Sequence, residues 1–174
     1  MQRRRVLVRF LLPAFVVRLV YFWRFRALIS PRAEVVYSPQ ASWGRGCVFS
    51  SFTKVKIDGP FIMGARVQIA TGCFIAVEAG GLQLGDDVLV GPNCAILTSN
   101  YAYREVDVPL PEQGYTTRGV RIGKNVWLGA NSVVLDGAEI GDNVIVAAGS
   151  VVSGTVPRNA IVQGNPAAVI FTRR

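Results

Sequence analysis

Histidine does not occur in these 174 residues, and cysteine occurs only three times. Without imidazole the chain lacks the side chain that most often carries protons near neutral pH. A zinc site built from His and Cys is likewise not expected, and no metal is assigned. Cys47, Cys73 and Cys94 are odd in number, widely spaced and form no CxxC, so they do not read as a disulfide framework. Cys73 and Cys94 fall on or near repeat positions and read as small core residues, which fits a reducing compartment. Acidic residues are missing from residues 1–26, where seven arginines stand; the remainder holds twelve Lys+Arg against eleven Asp+Glu. The basicity therefore belongs to the N-terminal segment and not to the body, so nucleic acid is not an expected partner. Charged residues are few (17%) beside 51% hydrophobic ones, which excludes a disordered chain. Long uncharged runs are missing too. Within residues 5–26 the longest is Phe10 to Val17, far below the roughly 20 residues of a spanning helix.

What is present is a period of six. Residues 122–157 read IGKNVW, LGANSV, VLDGAE, IGDNVI, VAAGSV, VSGTVP. An aliphatic residue opens each hexad (Ile122, Leu128, Val134, Ile140, Val146, Val152). The fifth place is small or β-branched (Val126, Ser132, Ala138, Val144, Ser150, Val156). Neither a helix nor an isolated strand has this period, so it predicts a β-solenoid whose coil is a triangular prism with one hexad per face. Weaker repeats begin between Ser30 and Thr53. An earlier register is read at Val55, Phe61, Val67 and Cys73, with small residues Gly59, Ala65, Thr71 and Val77 four places on. EAGG (78–81) shifts it, and it resumes at Leu84, Val90 and Ile96. Four to six coils of roughly 18 residues are expected.

Three segments stand outside the repeat. Residues 1–29 predict an amphipathic helix lying in the membrane interface or capping the open prism. Arg3, Arg4, Arg5, Arg9 and Arg18 would snorkel to phosphates while Phe15, Phe22 and Trp23 enter the headgroup boundary. A signal peptide is disfavoured because no small-x-small site follows and Arg18, Arg24 and Arg26 stand where cleavage would fall. The solenoid is assigned to 30–157, with an extruded loop at 97–121, where the hexads stop and two glycines and three tyrosines appear. Long loops on a rigid body are where function is usually carried. The tail, 158–174, reads as a turn at GNP and a terminal strand or short helix.

LGDDVLVGPNCAIL (84–97), the loop frame PLPEQG (109–114) and residues 122–170, ending in IVQGNPAAVI, carry a resemblance. The chain resembles the hexapeptide-repeat acyltransferases, in particular the sugar and polysaccharide O-acetyltransferases. That resemblance implies an all-β fold, the left-handed parallel β-helix, and a homotrimer with acetyl-CoA along the cleft between adjacent prisms. It implies a loop histidine acting as general base on an acceptor hydroxyl. A base must take that proton as the weakly nucleophilic hydroxyl attacks the thioester.

This chain departs at those positions. Alignment on PLPEQG puts Ser99 and Tyr101 where the family carries loop histidines. Serine does not titrate and tyrosine titrates near 10. Glu105 and Asp107 on the same loop would serve if burial raised their pKa. Cations that relatives place at Gly154, Ala168 and near Phe171 are missing, with Arg158, Arg173 and Arg174 close by. The cofactor candidates are Gly129, Ala147, Ala148, Ser153, Gly154 and Arg158. The expected function is acetyl-CoA-dependent O-acetylation of a glycan or lipid-linked saccharide at an anionic membrane surface. The expected location is cytoplasmic, peripheral on the inner face of the cytoplasmic membrane. The alternative is a catalytically inactive trimeric scaffold in a membrane-associated polysaccharide or lipid pathway.

Overall fold

The hexads fold into short parallel strands that stack coil upon coil on three faces. A computed structural model describes residues 13–174, so Arg3, Arg4, Arg5 and Arg9 lie outside the described residues. Face A runs from Leu28–Ile29 through Val48–Phe49, Gln68–Ile69, Leu89–Val90, Trp127–Leu128 and Ile145–Val146 to Ala160–Gln163. Face B begins at Glu34–Val35 and ends at Val151–Val152; face C begins at Ala41–Trp43 and ends at Thr155–Val156. Six turns are complete and a seventh opens on face A. There the tail folds back as Ala168–Thr172, antiparallel to Ala160–Gln163. The tail is thus a strand, and the turns exceed the four to six expected.

Register explains the core. Phe49, Ile69, Val90, Leu128, Val146 and Val162 stand directly over one another inside face A. Trp43, Met63, Leu84, Ile122, Ile140 and Val156 do so inside face C. All of these are buried, and each such side chain contributes about 1.5–3 kcal/mol on leaving water. A second inward row stands two residues earlier, and the early register belongs partly to it. Phe61, Val67 and Cys73 lie in this second row, while Met63, Ile69 and Ile75 continue the row that Ile122 and Leu128 belong to. Gly59, Ala65 and Thr71 are corner residues. Asp58, Gly59 and Pro60 form a corner two residues longer than the hexad allows. Because both inward rows are apolar there, alternation hides a slip of two.

All variation in coil length falls on the edge between faces B and C. Leu28, Val48, Gln68 and Leu89 are in register at steps of twenty, twenty and twenty-one residues. Trp127 to Ile145 takes eighteen and Ile145 to Ile161 sixteen. The surplus lies before Ala41, at 58–60 and at 78–81, the extruded loop leaves from the same edge, and the deficit lies at Ser153–Gly154. The C–A edge keeps constant length and places a left-handed residue in every turn: Gly46, Arg66, Asp87, Asn125, Asn143 and Asn159. Asn, Asp and Gly tolerate that conformation best. Asn125, Asn143 and Asn159 also bond side chain to side chain at 2.9 and 3.0 Å. Along the A–B edge Thr53, Cys73, Cys94 and Ser132 each donate to a corner carbonyl. The three cysteines are buried and free, and burial pushes the Cys47 thiol up.

The first coil is closed by α1 (Ala14–Phe25). Val17, Tyr21 and Phe25, four residues apart, are buried on one helix face. Tyr21 stacks on Trp43 at 4.3 Å, and Trp43 in turn meets Phe49 and Phe61 at 5.0 and 5.5 Å. The Tyr21 hydroxyl donates to the Val36 carbonyl and accepts the Ser38 N–H, both at 3.0 Å. The helix is a cap. Its opposite face leaves Phe15, Leu19 and Trp23 exposed, with Arg18 and Arg24 along the margins. Among the described residues no helix is long and apolar enough to cross a membrane.

Candidate functional site

The B–C edge gathers the chemistry-bearing side chains. From Thr98, buried on the fourth coil, the chain leaves the prism and returns at Val120. Its stem is a two-strand antiparallel ribbon, Asn100–Tyr101 against Tyr115–Thr116. Tyr115 donates its phenolic hydrogen to Tyr101 at 2.9 Å, and the rings lie 4.4 Å apart. That bond, with the Glu78 charge nearby, raises the Tyr115 pKa above the ordinary phenol value. At the apex Gln113 acts as a brace. Its carbonyl accepts the Glu105 N–H at 3.0 Å, and its amide donates to the Glu105 and Val108 carbonyls at 2.7 Å. The loop that sequence leaves without regular structure is therefore held in shape at both ends.

The return strand is pinned to the next coil by Asp136, whose side chain is 1% exposed. It accepts the Gly119 N–H at 2.8 Å and the Thr116 hydroxyl at 3.2 Å, and the Arg118 guanidinium lies 3.6 Å away. Arg118 folds across Gly137, where a side chain would collide with it. Sequence reasoning passed over Asp136 because it sits inside a regular hexad, VLDGAE. A carboxylate beside the inward row, next to the loop's return, was the signal available.

Two coils beyond the loop, away from α1, the edge is short by two residues at Ser153–Gly154. Most glycines here either adopt positive φ or stand where a Cβ would strike the neighbouring coil; at Gly129 it would meet the Ala148 nitrogen at 2.5 Å. Gly154 has neither reason, since a Cβ there meets open space and its φ is ordinary. An exposed glycine that neither packing nor backbone requires marks a surface open to close approach.

The candidates drawn from sequence separate accordingly. Ser99, Tyr101, Glu105 and Asp107 are all on the loop of the B–C edge, with Glu105 and Asp107 exposed within one chain. Ser153 and Gly154 share that edge. Gly129, Ala147 and Ala148 stand on the A–B edge and Arg158 on the C–A edge, so one chain does not collect all six in a single cleft. No group of three potential metal ligands occurs among the described residues.

A three-faced parallel solenoid with one extruded loop defines the class. The Bacterial transferase hexapeptide (six repeats) family matches residues 119–154. The chain is 36% identical over 92 residues to the putative acetyltransferase YvoF of Bacillus subtilis, covering 53% of this chain and 48% of that protein. It is 29% identical over 154 residues to WbbJ of Escherichia coli, a putative lipopolysaccharide biosynthesis O-acetyl transferase, covering 84% and 76%. Its fold matches a Vibrio cholerae hexapeptide-repeat containing acetyltransferase complexed with acetyl coenzyme A. There the TM-score is 0.68 and the identity 20%, over 98% of this chain and 84% of that one. Residues 119–154 thus carry the transferase hexapeptide repeat, and the fold is the one that the Vibrio cholerae protein shares. The chain spans 48%, 31% and 61% of the first curated relatives it matches.

Proposed function

We propose that the chain is an acetyl-CoA-dependent O-acetyltransferase acting on a glycan or lipid-linked saccharide at an anionic membrane surface, as a homotrimer. The observation that carries this is the alignment, on one edge, of a braced loop with the recessed Ser153–Gly154 turn. The turn gives the pantetheine arm backbone to lie against, and the loop brings polar groups over the thioester. The acceptor oxygen attacks the thioester carbonyl carbon while a loop group takes the hydroxyl proton, and as the C–S bond breaks that group returns the proton to the departing sulfur. Glu105 and Asp107 are the carboxylates available for that proton, and Tyr101, held by Tyr115, orients the acceptor.

Assembly is supported by the outer rows. Face A exposes Leu28, Leu89, Trp127 and Phe171 in one column, the kind of apolar patch that marks an interface. Face C instead presents Gln83, Arg121 and Glu139. Parallel prisms would also set three copies of α1 on one side, which raises membrane avidity without new contacts. The exposed apolar face of α1 and the arginines around it, each adding about 1 kcal/mol on an anionic leaflet, support a place on the inner face of the cytoplasmic membrane.

The test is acetyl-CoA turnover with sugar acceptors. Loss of turnover on Glu105→Gln or Asp107→Asn supports the reading, and absence of turnover with every acceptor class defeats it. The lack of any histidine favours a second reading, an inactive trimeric scaffold in the same setting. Calorimetry separates the two, because acetyl-CoA binding in the micromolar range is incompatible with the scaffold.

A further inference from the structure

The helix proposed to face the membrane is also the lid of the prism, and this joins two properties that are otherwise separate. Tyr21 has no exposed surface, bonds two backbone groups of the first coil and stacks on Trp43. Lifting α1 away would strip Trp43 of its cover by Tyr21 and Phe25. On that proposal the helix meets a bilayer while still docked, through the exposed face opposite Tyr21 that carries Phe15, Leu19 and Trp23. No acidic residue occurs in residues 1–26 to oppose an anionic surface.

From this geometry we infer that the protein stands upright on the bilayer, with α1 as its foot and the coil stack as a ruler, so that the loop works at a fixed height. The inference rests on the acetyltransferase reading for its substrate, and on the docked helix with its proposed membrane contact for its posture. Leu28, Val48, Gln68 and Leu89 mark three register steps from the capped coil to the loop-bearing coil. At a strand spacing of about 4.8 Å those steps rise roughly 14 Å, and the helix adds about 10 Å of thickness. Because an interfacial helix sinks about 5–10 Å, the loop stem stands roughly 15–20 Å outside the boundary. A hydroxyl on the first sugar beside a lipid anchor lies too low. The acceptor class is a lipid-linked oligosaccharide long enough to raise a distal sugar to the fourth coil, and the specificity determinant is the number of coils between foot and loop.

Posture is tested without activity. Ser42, Gln83 and Thr155 are exposed on face C at the first, third and sixth coils, and the native cysteines are buried. Fluorophores on Ser42→Cys, Gln83→Cys and Thr155→Cys, with the full chain on phosphatidylglycerol-containing vesicles, report energy transfer to a headgroup dye. Transfer falling in the order 42, 83, 155 is the expected result. Equal transfer at the three sites, or the reverse order, overturns the upright posture. The ruler is tested with short and long glycans on one lipid anchor, beside the same glycans free in solution. On vesicles the long acceptor is favoured by about tenfold or more, and in solution the preference disappears. Turnover without length preference on vesicles overturns the ruler. Graded transfer with no turnover on any acceptor, anchored or free, removes the acetyltransferase reading and its acceptor class, and leaves the posture standing.

Discussion

Asp136 accepts the Gly119 N–H at 2.8 Å, tying the end of the extruded loop to the coil that follows it. The carboxylate is fully enclosed and also takes the Thr116 hydroxyl. Removing a buried acceptor leaves its donors unsatisfied, which costs about 1–3 kcal/mol. Asp136→Ala should lower stability by that amount in denaturant titration. It should also speed amide exchange at Gly119 and Val120, with the far coils unaffected. Asp136→Asn keeps an acceptor for Gly119 and should lose less.

The Tyr101–Tyr115 pair gives a pH signature. Tyr115 is raised above the ordinary phenol value by the bond it donates to Tyr101, so it keeps its proton throughout the neutral range. Acetyl transfer should therefore show no ionisation near ~6.5, where an imidazole would titrate. A kcat profile in which the Tyr101–Tyr115 pair loses a proton at neutral pH would contradict this. Tyr101→Phe should reduce kcat by about tenfold with little change in KM, as for a group acting mainly at the reacting centre.

These two sites differ in how far sequence exposes them. The inward rows from Ile122 to Val152 were legible because no residue is gained or lost at a corner there, so the period of six runs unbroken. The rows around Phe61 and Cys73 were displaced by two, since alternation carries no information about a slip that preserves parity. The loop was legible as an interruption. Its brace was not, because Gln113 bonds back to Glu105 and Val108, contacts that no periodic pattern records. The cofactor candidates are close in sequence, yet a hexad step moves a residue by one face, so Gly129 and Arg158 lie on different edges. The capping role of α1 was one of two sequence readings, and Tyr21 together with Trp43 establishes it.

Tyr21 also links the cap to pH. Burial is the main cause that raises its pKa from 10.0 to about 12. Below pH 10 the hydroxyl is protonated in both folded and unfolded chains, and its contribution is complete. As pH rises from 10 to 12 the unfolded chain releases the proton first, so stability falls, by about 2–3 kcal/mol over that window. Tyr21→Phe should abolish this alkaline slope. At neutral pH it should cost about 1–3 kcal/mol through the unpaired Val36 and Ser38 groups. Unfolding midpoints at pH 7, 10 and 11.5 distinguish the two effects.

Membrane contact must be tested on the outer face of α1, because removing the helix would uncap the core. Trp23 is 72% exposed and Leu19 52%, and neither is among the buried side chains that meet Trp43. A charged side chain in place of each should leave the cap intact while removing the apolar surface that enters the headgroup region. Leu19→Asp with Trp23→Asp should therefore keep the unfolding midpoint within about 0.5 kcal/mol of the parent. Sedimentation with phosphatidylglycerol vesicles should fall by about tenfold or more, since each lost side chain was worth on the order of 1.5–3 kcal/mol of burial. Phe25→Ala has the opposite profile: the midpoint should drop by about 3–5 kcal/mol, with vesicle binding per folded molecule retained. If the double Asp variant still sediments with vesicles as the parent does, the exposed face of α1 is not the membrane contact.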